Sequence, residues 1–392
     1  MQQGLLKEPY RPYFLLGTSI GLSLFLVWAL ILAQNVWGWH LFQVHYYLNF
    51  FHLLCVLYCF FPSFIFGFLF TVLPRWTAGP PVPPIRYFPG ALCLLIGFVL
   101  LVAGFLGLGS FRIGIVLLIA AYLINAVQYL AILANAKQTG NREAAFILVA
   151  IGMGLVGLVL AYRFTQTNQF WAYRVVRELG LFGMLTLVFY TVIQRMLPFF
   201  AGRVLAQFGA KKHPKALYLF SIFLAGYSLG RIWLIHWLEA LCALFLAGIL
   251  CVDLIRWKFW QRKPALLGVL YHGVAWIAVS FLAGAIGAIL ASRTFELFHF
   301  HALGLGGFLV LTIGFATRVS RGHAGKSLEA DGLESFTFYA IQALAAARLI
   351  AIVLWPAHWM GTVGLSVALV AVLFIWMIKM LPNWFHSPST PD

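Results

Sequence analysis

The sequence of 392 residues carries no Asp, Glu, Lys or Arg from Pro12 to Pro74, from Pro264 to Ser292, or from Leu349 to Ile378. Each of these stretches can hold at least one helix of the ~20 apolar residues that cross a bilayer. Inside hydrocarbon the chain must satisfy all of its own backbone polar groups, so runs of this length and character fold as helices. Composition agrees, with 63% hydrophobic and 9% charged residues, against roughly 25% charged in an average soluble domain. A water-soluble globule is excluded.

Apolar runs broken by Pro, Gly and charge clusters predict twelve spans, at about 14–33, 50–73, 88–108, 112–136, 145–162, 175–197, 215–235, 237–256, 265–291, 299–318, 335–355 and 359–381. Merging the seventh and eighth would leave eleven. Most loops between spans are too short to fold separately, and the longest, about 198–214 and 319–334, read as solvated loops. The expected fold is therefore all-α, a polytopic helical bundle forming one integral membrane domain over 1–392. No internal repeat stands out, and a six-plus-six relation is left open.

The net charge of +16 would suggest nucleic acid in a soluble protein. In a polytopic one, cations collect in cytoplasmic loops. Assigning all 26 Lys and Arg to the nearer end of each span puts nineteen on the side of the N-terminus and seven on the other. Both termini are therefore expected in the cytoplasm, the lipid bilayer is the partner, and nucleic acid is not. Met1–Tyr13 has no small-residue cleavage site before the first apolar run, so the first span reads as a retained helix. Five cysteines, all in apolar segments, do not suggest a disulfide framework.

Polar groups within spans are costly and mark function by default. Glu143, Glu178, Glu239 and Glu296 are expected at span ends or in loops, and Asp253 as an interfacial ion-pair partner of Arg256 rather than a relay. This scarcity of carboxylates argues against an ion-coupled carrier. Histidine is richer. His52 opens span two, His272 lies about two turns into span nine, His299 and His301 open span ten, and His323 follows it. Neutral imidazole ligates haem iron and copper, although a histidine at a span end also serves as an interfacial, hydrogen-bonded residue. A haem b between helices needs one or two axial histidines and cations for its propionates. Arg195, Arg203, Arg318 and Arg321 are candidates, and charge-driven topology explains them equally. Cys55 and Cys59 follow His52 at helical spacing, where thiolate would suit copper and small-residue packing is the competing reading. No C-x-x-C-H haem attachment site, Walker A loop or G-x-G-x-x-G is present. Tryptophans at the span borders read as interfacial belts.

Four stretches taken in order resemble the NnrS family of bacterial inner-membrane proteins. They are Tyr10-Arg-Pro-Tyr-Phe-Leu-Leu, Phe66-Gly-Phe-Leu-Phe-Thr-Val-Leu-Pro-Arg-Trp-Thr, Gln194-Arg-Met-Leu-Pro-Phe-Phe, and the segment from His301-Ala-Leu through Ala316-Thr-Arg-Val-Ser-Arg-Gly-His323. Tyr271-His272-Gly matches an expected histidine. The resemblance implies twelve spans, haem and copper, and a role in denitrification and relief of nitric oxide stress, with His52, His272, His301 and His323 as ligands. This sequence departs where the family shows Trp-His-x-His-Glu, because Phe51-His52-Leu53-Leu54-Cys55 stands there. His40, His45 and Cys55 could stand in for the missing donors, and Cys59 and His299 are further, weaker candidate ligands.

The resulting expectation is a membrane protein with haem, or haem and copper, that binds nitric oxide or a related nitrogen oxide or converts it as a haem-dependent oxidoreductase supplied by an electron donor. The competing class is a metal, haem or small-solute transporter or assembly protein without catalysis. Loss of haem absorbance in histidine variants separates the first from the second.

Overall fold

The computed structural model describes residues 4–39, 42, 46–138, 141–205, 215–261, 264–355 and 359–385. Among them are twelve helices long and apolar enough to cross a membrane: α1 (Tyr10–Trp37), α2 (Leu48–Trp76), α3 (Pro84–Phe105), α4 (Phe111–Ala134), α5 (Arg142–Thr167), α6 (Phe170–Val204), α7 (Ala216–Trp233), α8 (His236–Arg256), α9 (Ala265–Leu290), α10 (Arg293–His323), α11 (Gly332–Leu354) and α12 (Met360–Phe385). The protein is an all-helical, multi-pass membrane protein. Every expected span is present, and the seventh and eighth are separate. Leu234 takes a left-handed conformation with φ 59°, which stops α7 two residues before α8 starts.

The observed helices overrun the expected ones where charge suggested a boundary. The sixth span runs from Phe170 to Val204 rather than over 175–197, passing through Arg174, Arg177, Arg195 and Arg203. A helix satisfies its backbone whatever its side chains carry, and long arginine side chains reach out of the apolar layer. Capping marks other ends. Asp331 and Glu334 form a reciprocal capping box at the start of α11, with both bonds at 3.0 Å.

Three spans differ from the rest. In α2, α6 and α10 the most apolar stretch is 94%, 83% and 83% buried, against 56% or less elsewhere. Each also contains a π-helical segment, Cys55–Phe60, Leu179–Thr186 and Ala302–Leu309 respectively. Each carries a Thr followed four residues later by an Arg: Thr71 and Arg75, Thr191 and Arg195, Thr317 and Arg321. These features recur every fourth span, a different period from the six-plus-six relation.

The chain divides into two compact units. Unit one comprises Met1–Leu185, Val319–Lys326 and Met377–Asp392, and unit two comprises Thr186–Arg318 and Ser327–Trp376. In lipid, helices associate through packing fit and hydrogen bonds rather than hydrophobic burial. In unit one, α1 lies so close to α2 that a Cβ on Gly17 would sit 2.6 Å from the ring of Phe64. The hydroxyl of Tyr13 lies 2.8 Å from Asn125 Oδ1 and 3.0 Å from the carbonyl of Tyr87, tying α1, α3 and α4. Rings of Phe51 and Phe105 stack at 4.0 Å. In unit two, the indole N–H of Trp376 donates to Thr317 at 2.9 Å, fastening α12 to α10.

Candidate functional site

In unit one, His52 sits one turn into α2 with its ring 4.2 Å from that of Trp28 on α1. Its Nδ1 is buried and makes no hydrogen bond. The π-helical segment begins at Cys55, so the α-helical spacing that would align His52 with Cys55 and Cys59 does not continue through it. The two thiols are fully buried. Among the described residues, no group of three His, Cys, Asp or Glu converges as a metal site would require. His40 and His45 lie outside the described residues.

At the far end of α10, also in unit one, His323 Nδ1 is 3.7 Å from Glu8 Oε1 and its ring is 5.0 Å from Tyr10. That separation is an ion-pair distance. Burial pushes the Glu8 carboxyl up, but the imidazole of His323, with Arg75 and Arg11 behind it, outweighs that and holds it below its ordinary value. Arg11 is 1% exposed, donating from Nη1 to the carbonyl of Gly4 at 3.0 Å and from Nε to the hydroxyl of Tyr10 at 3.4 Å. Arg321 is buried in the same unit. Arg11 was not among the expected anion-binding cations, since its place before span one read only as a topology signal.

Unit two holds the remaining described candidates, His272, His299 and His301. His301 closes the first α-helical part of α10, immediately ahead of the π-helical Ala302–Leu309. Its Nδ1 is 2.8 Å from the carbonyl of Leu297. A carbonyl only accepts, so Nδ1 carries the hydrogen and Nε2 of the neutral ring holds the lone pair. Metal-ligating histidines adopt this posture, with the second nitrogen anchored to backbone. Beside it, Ala302, Leu349 and Ile352 form an apolar cluster covered by Trp276 and Phe298, and Arg348 is the charged neighbour. α9 comes very close here, because a Cβ on Gly306 would lie 2.6 Å from the indole of Trp276. His272, four residues before Trp276, also has a buried Nδ1 without a hydrogen bond, and its ring is 6.5 Å from that of Tyr339.

His299 is different. Its Nδ1 donates to the carbonyl of Ser280 at 2.7 Å, so Nε2 accepts from the hydroxyl of Tyr227 at 3.0 Å. Both nitrogens are engaged and the residue is fully buried. The side chain is a structural link between α7, α9 and α10. Of the arginines in this unit, Arg318 is buried with its guanidinium 3.7 Å over the ring of Phe200, and Arg195 is half-buried.

Two carboxylates depart from expectation, Glu178 and Asp253, whereas Glu143, Glu239 and Glu296 lie in the first turns of α5, α8 and α10, at span ends as expected. Glu178 is fully buried and paired with Arg177 at 2.8 Å. It lies two turns inside α6 because that helix begins at Phe170. Glu239 and Glu296 both reach the buried Arg231, at 2.5 and 2.8 Å. Asp253 is 3% exposed and is not ion-paired with Arg256. Tyr190 donates to its Oδ2 at 2.9 Å, and Gln194 donates to the same oxygen. The expected partner is turned away because Arg256 lies on the exposed face of α8 while Asp253 faces α6.

Twelve long apolar helices, three of them much more enclosed than the rest, define a polytopic membrane protein. The chain belongs to the NnrS family, whose model, described as NnrS protein, matches residues 4–388. The match extends the resemblance carried by four short motifs to nearly the whole chain. No curated protein matches it.

Proposed function

We propose that this protein binds haem b through histidines of its membrane-spanning helices in the bacterial inner membrane, with both termini in the cytoplasm, and there binds or converts nitric oxide or a related nitrogen oxide, in support of denitrification or protection from nitrosative stress. Family membership over residues 4–388 carries the reading. The residues fit haem. The posture of His301 leaves Nε2 as the donor, and His52 and His272 each present a buried Nδ1 outside any hydrogen bond. One or two such nitrogens suffice for haem. When bound, haem supplies an iron centre that takes a diatomic ligand. The protein contributes a dry wall of Ala302, Leu349, Ile352, Trp276 and Phe298 beside His301. At the other end of α10 in unit two, Arg318, fixed over Phe200, and Arg195 are the cations offered to carboxylate groups of a haem held there, and Arg321 is the corresponding cation of unit one. Copper fits less well, since no three-donor group occurs among the described residues.

A reduced-minus-oxidised absorption spectrum of the purified protein, with iron and copper analysis and with and without nitric oxide, tests the proposal. The expected result is a b-type spectrum that shifts with nitric oxide. Absence of both a Soret band and bound iron overturns it.

A further inference from the structure

Five carboxylates are buried among the described residues: Glu143, Glu178, Glu239, Asp253 and Glu334. Glu143, Glu178 and Glu239 each stand within 4 Å of an arginine, and Glu334 caps a helix N-terminus. Asp253 alone is held by neutral side chains, Tyr190 and Gln194 of α6. Arg256, on its own helix, is the cation whose charge reaches it, and it is exposed. From α7 comes the ring of Phe220, stacked 3.6 Å on Tyr190, which fixes the direction of the phenol. Tyr271 of α9 reaches the same end of α8, but its hydroxyl donates to the carbonyl of Trp257 at 2.5 Å.

The chemistry of these partners is distinctive. A permanently ionised aspartate in a membrane-spanning unit is stabilised by a cation beside it. Tyr190 and Gln194 instead can each either donate or accept. They therefore satisfy the carboxylate, and they equally satisfy the carboxylic acid. We propose that Asp253 is a proton-binding site of unit two, loaded from the cation-rich end of α8, with Tyr190 as its reversible partner. On loading, one proton from water joins Oδ2, the new O–H donates to the Tyr190 oxygen, and the phenol hydrogen turns away from the carboxyl. On release the original bond returns, and no electron is exchanged. The site is independent of haem and of any assignment of the histidines.

Infrared difference spectra of the purified full-length protein, labelled with carboxyl-13C aspartate and titrated between about pH 4 and pH 9, read the proton directly. Wild type is expected to show a carboxylic C=O band of aspartate that is missing from Asp253→Asn and shifted in frequency in Tyr190→Phe, where the phenol partner is lost. If Asp253→Asn does not fold, the shift in Tyr190→Phe decides alone. Aspartate bands that are identical in wild type and in the folded variants overturn the proposal and leave Asp253 a fixed structural link.

Discussion

The Nδ1–H of His301 donates to the carbonyl of Leu297 four residues earlier, at 2.8 Å, while His299, two positions before it, has both ring nitrogens taken by Ser280 and Tyr227. Two histidines in the tripeptide His299-Phe300-His301 thus have opposite roles. His301→Ala is expected to lower the haem content of the purified protein at least about tenfold or to change its spectrum. His299→Ala is expected to keep the spectrum and cost about 1–3 kcal/mol, because a buried hydroxyl and a carbonyl lose their partner. Absorption spectra and melting curves in detergent check both, and loss of haem in His299→Ala alone would reverse the assignment.

Arg231 joins Glu239 and Glu296 across α7, α8 and α10, and its guanidinium lies 5.0 Å over the ring of Phe300. Arg231→Ala leaves a buried carboxylate unpaired, a loss of about 3–5 kcal/mol. Arg231→Lys keeps the charge but cannot serve both partners with a planar fork. The expected order of melting temperature is wild type, then lysine, then alanine.

Glu8 and His323 give unit one an acid-sensitive contact. The Glu8 carboxyl is held below its ordinary value of 4.5. A carboxyl lowered in the folded state stabilises fully above its unfolded value, and that contribution fades as pH falls through the folded value. Limited proteolysis of the N-terminal segment is therefore expected to accelerate below about pH 4.5 in wild type. Glu8→Gln should cleave faster at neutral pH and lose most of this dependence. An unchanged profile in Glu8→Gln would place the acid sensitivity elsewhere.

Gly306 faces the indole of Trp276, and a methyl group added there would lie 2.6 Å from the ring. Gly306→Ala must push α9 and α10 apart or turn the indole, at about 1–3 kcal/mol. A lower melting temperature, relieved in part by Trp276→Phe, is the expected outcome.

The twelve spans were legible because a bilayer imposes length and apolarity on every crossing segment. Their ends were less so, since Arg174 and Arg203 looked like boundaries yet lie within α6. Glu178 was misplaced for that reason. The pairing of Asp253 was hidden, because a residue three positions away on the same helix, Arg256, is visible in sequence while Tyr190 on another helix is not. Among the histidines, position named the candidates and the family resemblance set His301 ahead of His299, but the engagement of both His299 nitrogens was visible only in the hydrogen-bond geometry. The four-span recurrence of Thr and Arg is present in the sequence, but without the helix bounds nothing marks these three pairs as equivalent.

The π-helical segments of α2, α6 and α10 have a further consequence. Each wider turn accommodates one residue more than an α-helix would, so the chain before it is rotated by about 100° about the helix axis relative to an uninterrupted helix. His52 and His301 lie before such a segment, whereas Arg75 and Arg321 lie after one. The angular setting of each histidine is thereby decoupled from that of the arginine at the opposite end of its helix. Removing a single residue from Ala302–Leu309 would wind the segment back to α and swing His301 through about a quarter turn while leaving Arg321 in place. A one-residue insertion, elsewhere a defect, serves in these helices as a means of aiming a side chain.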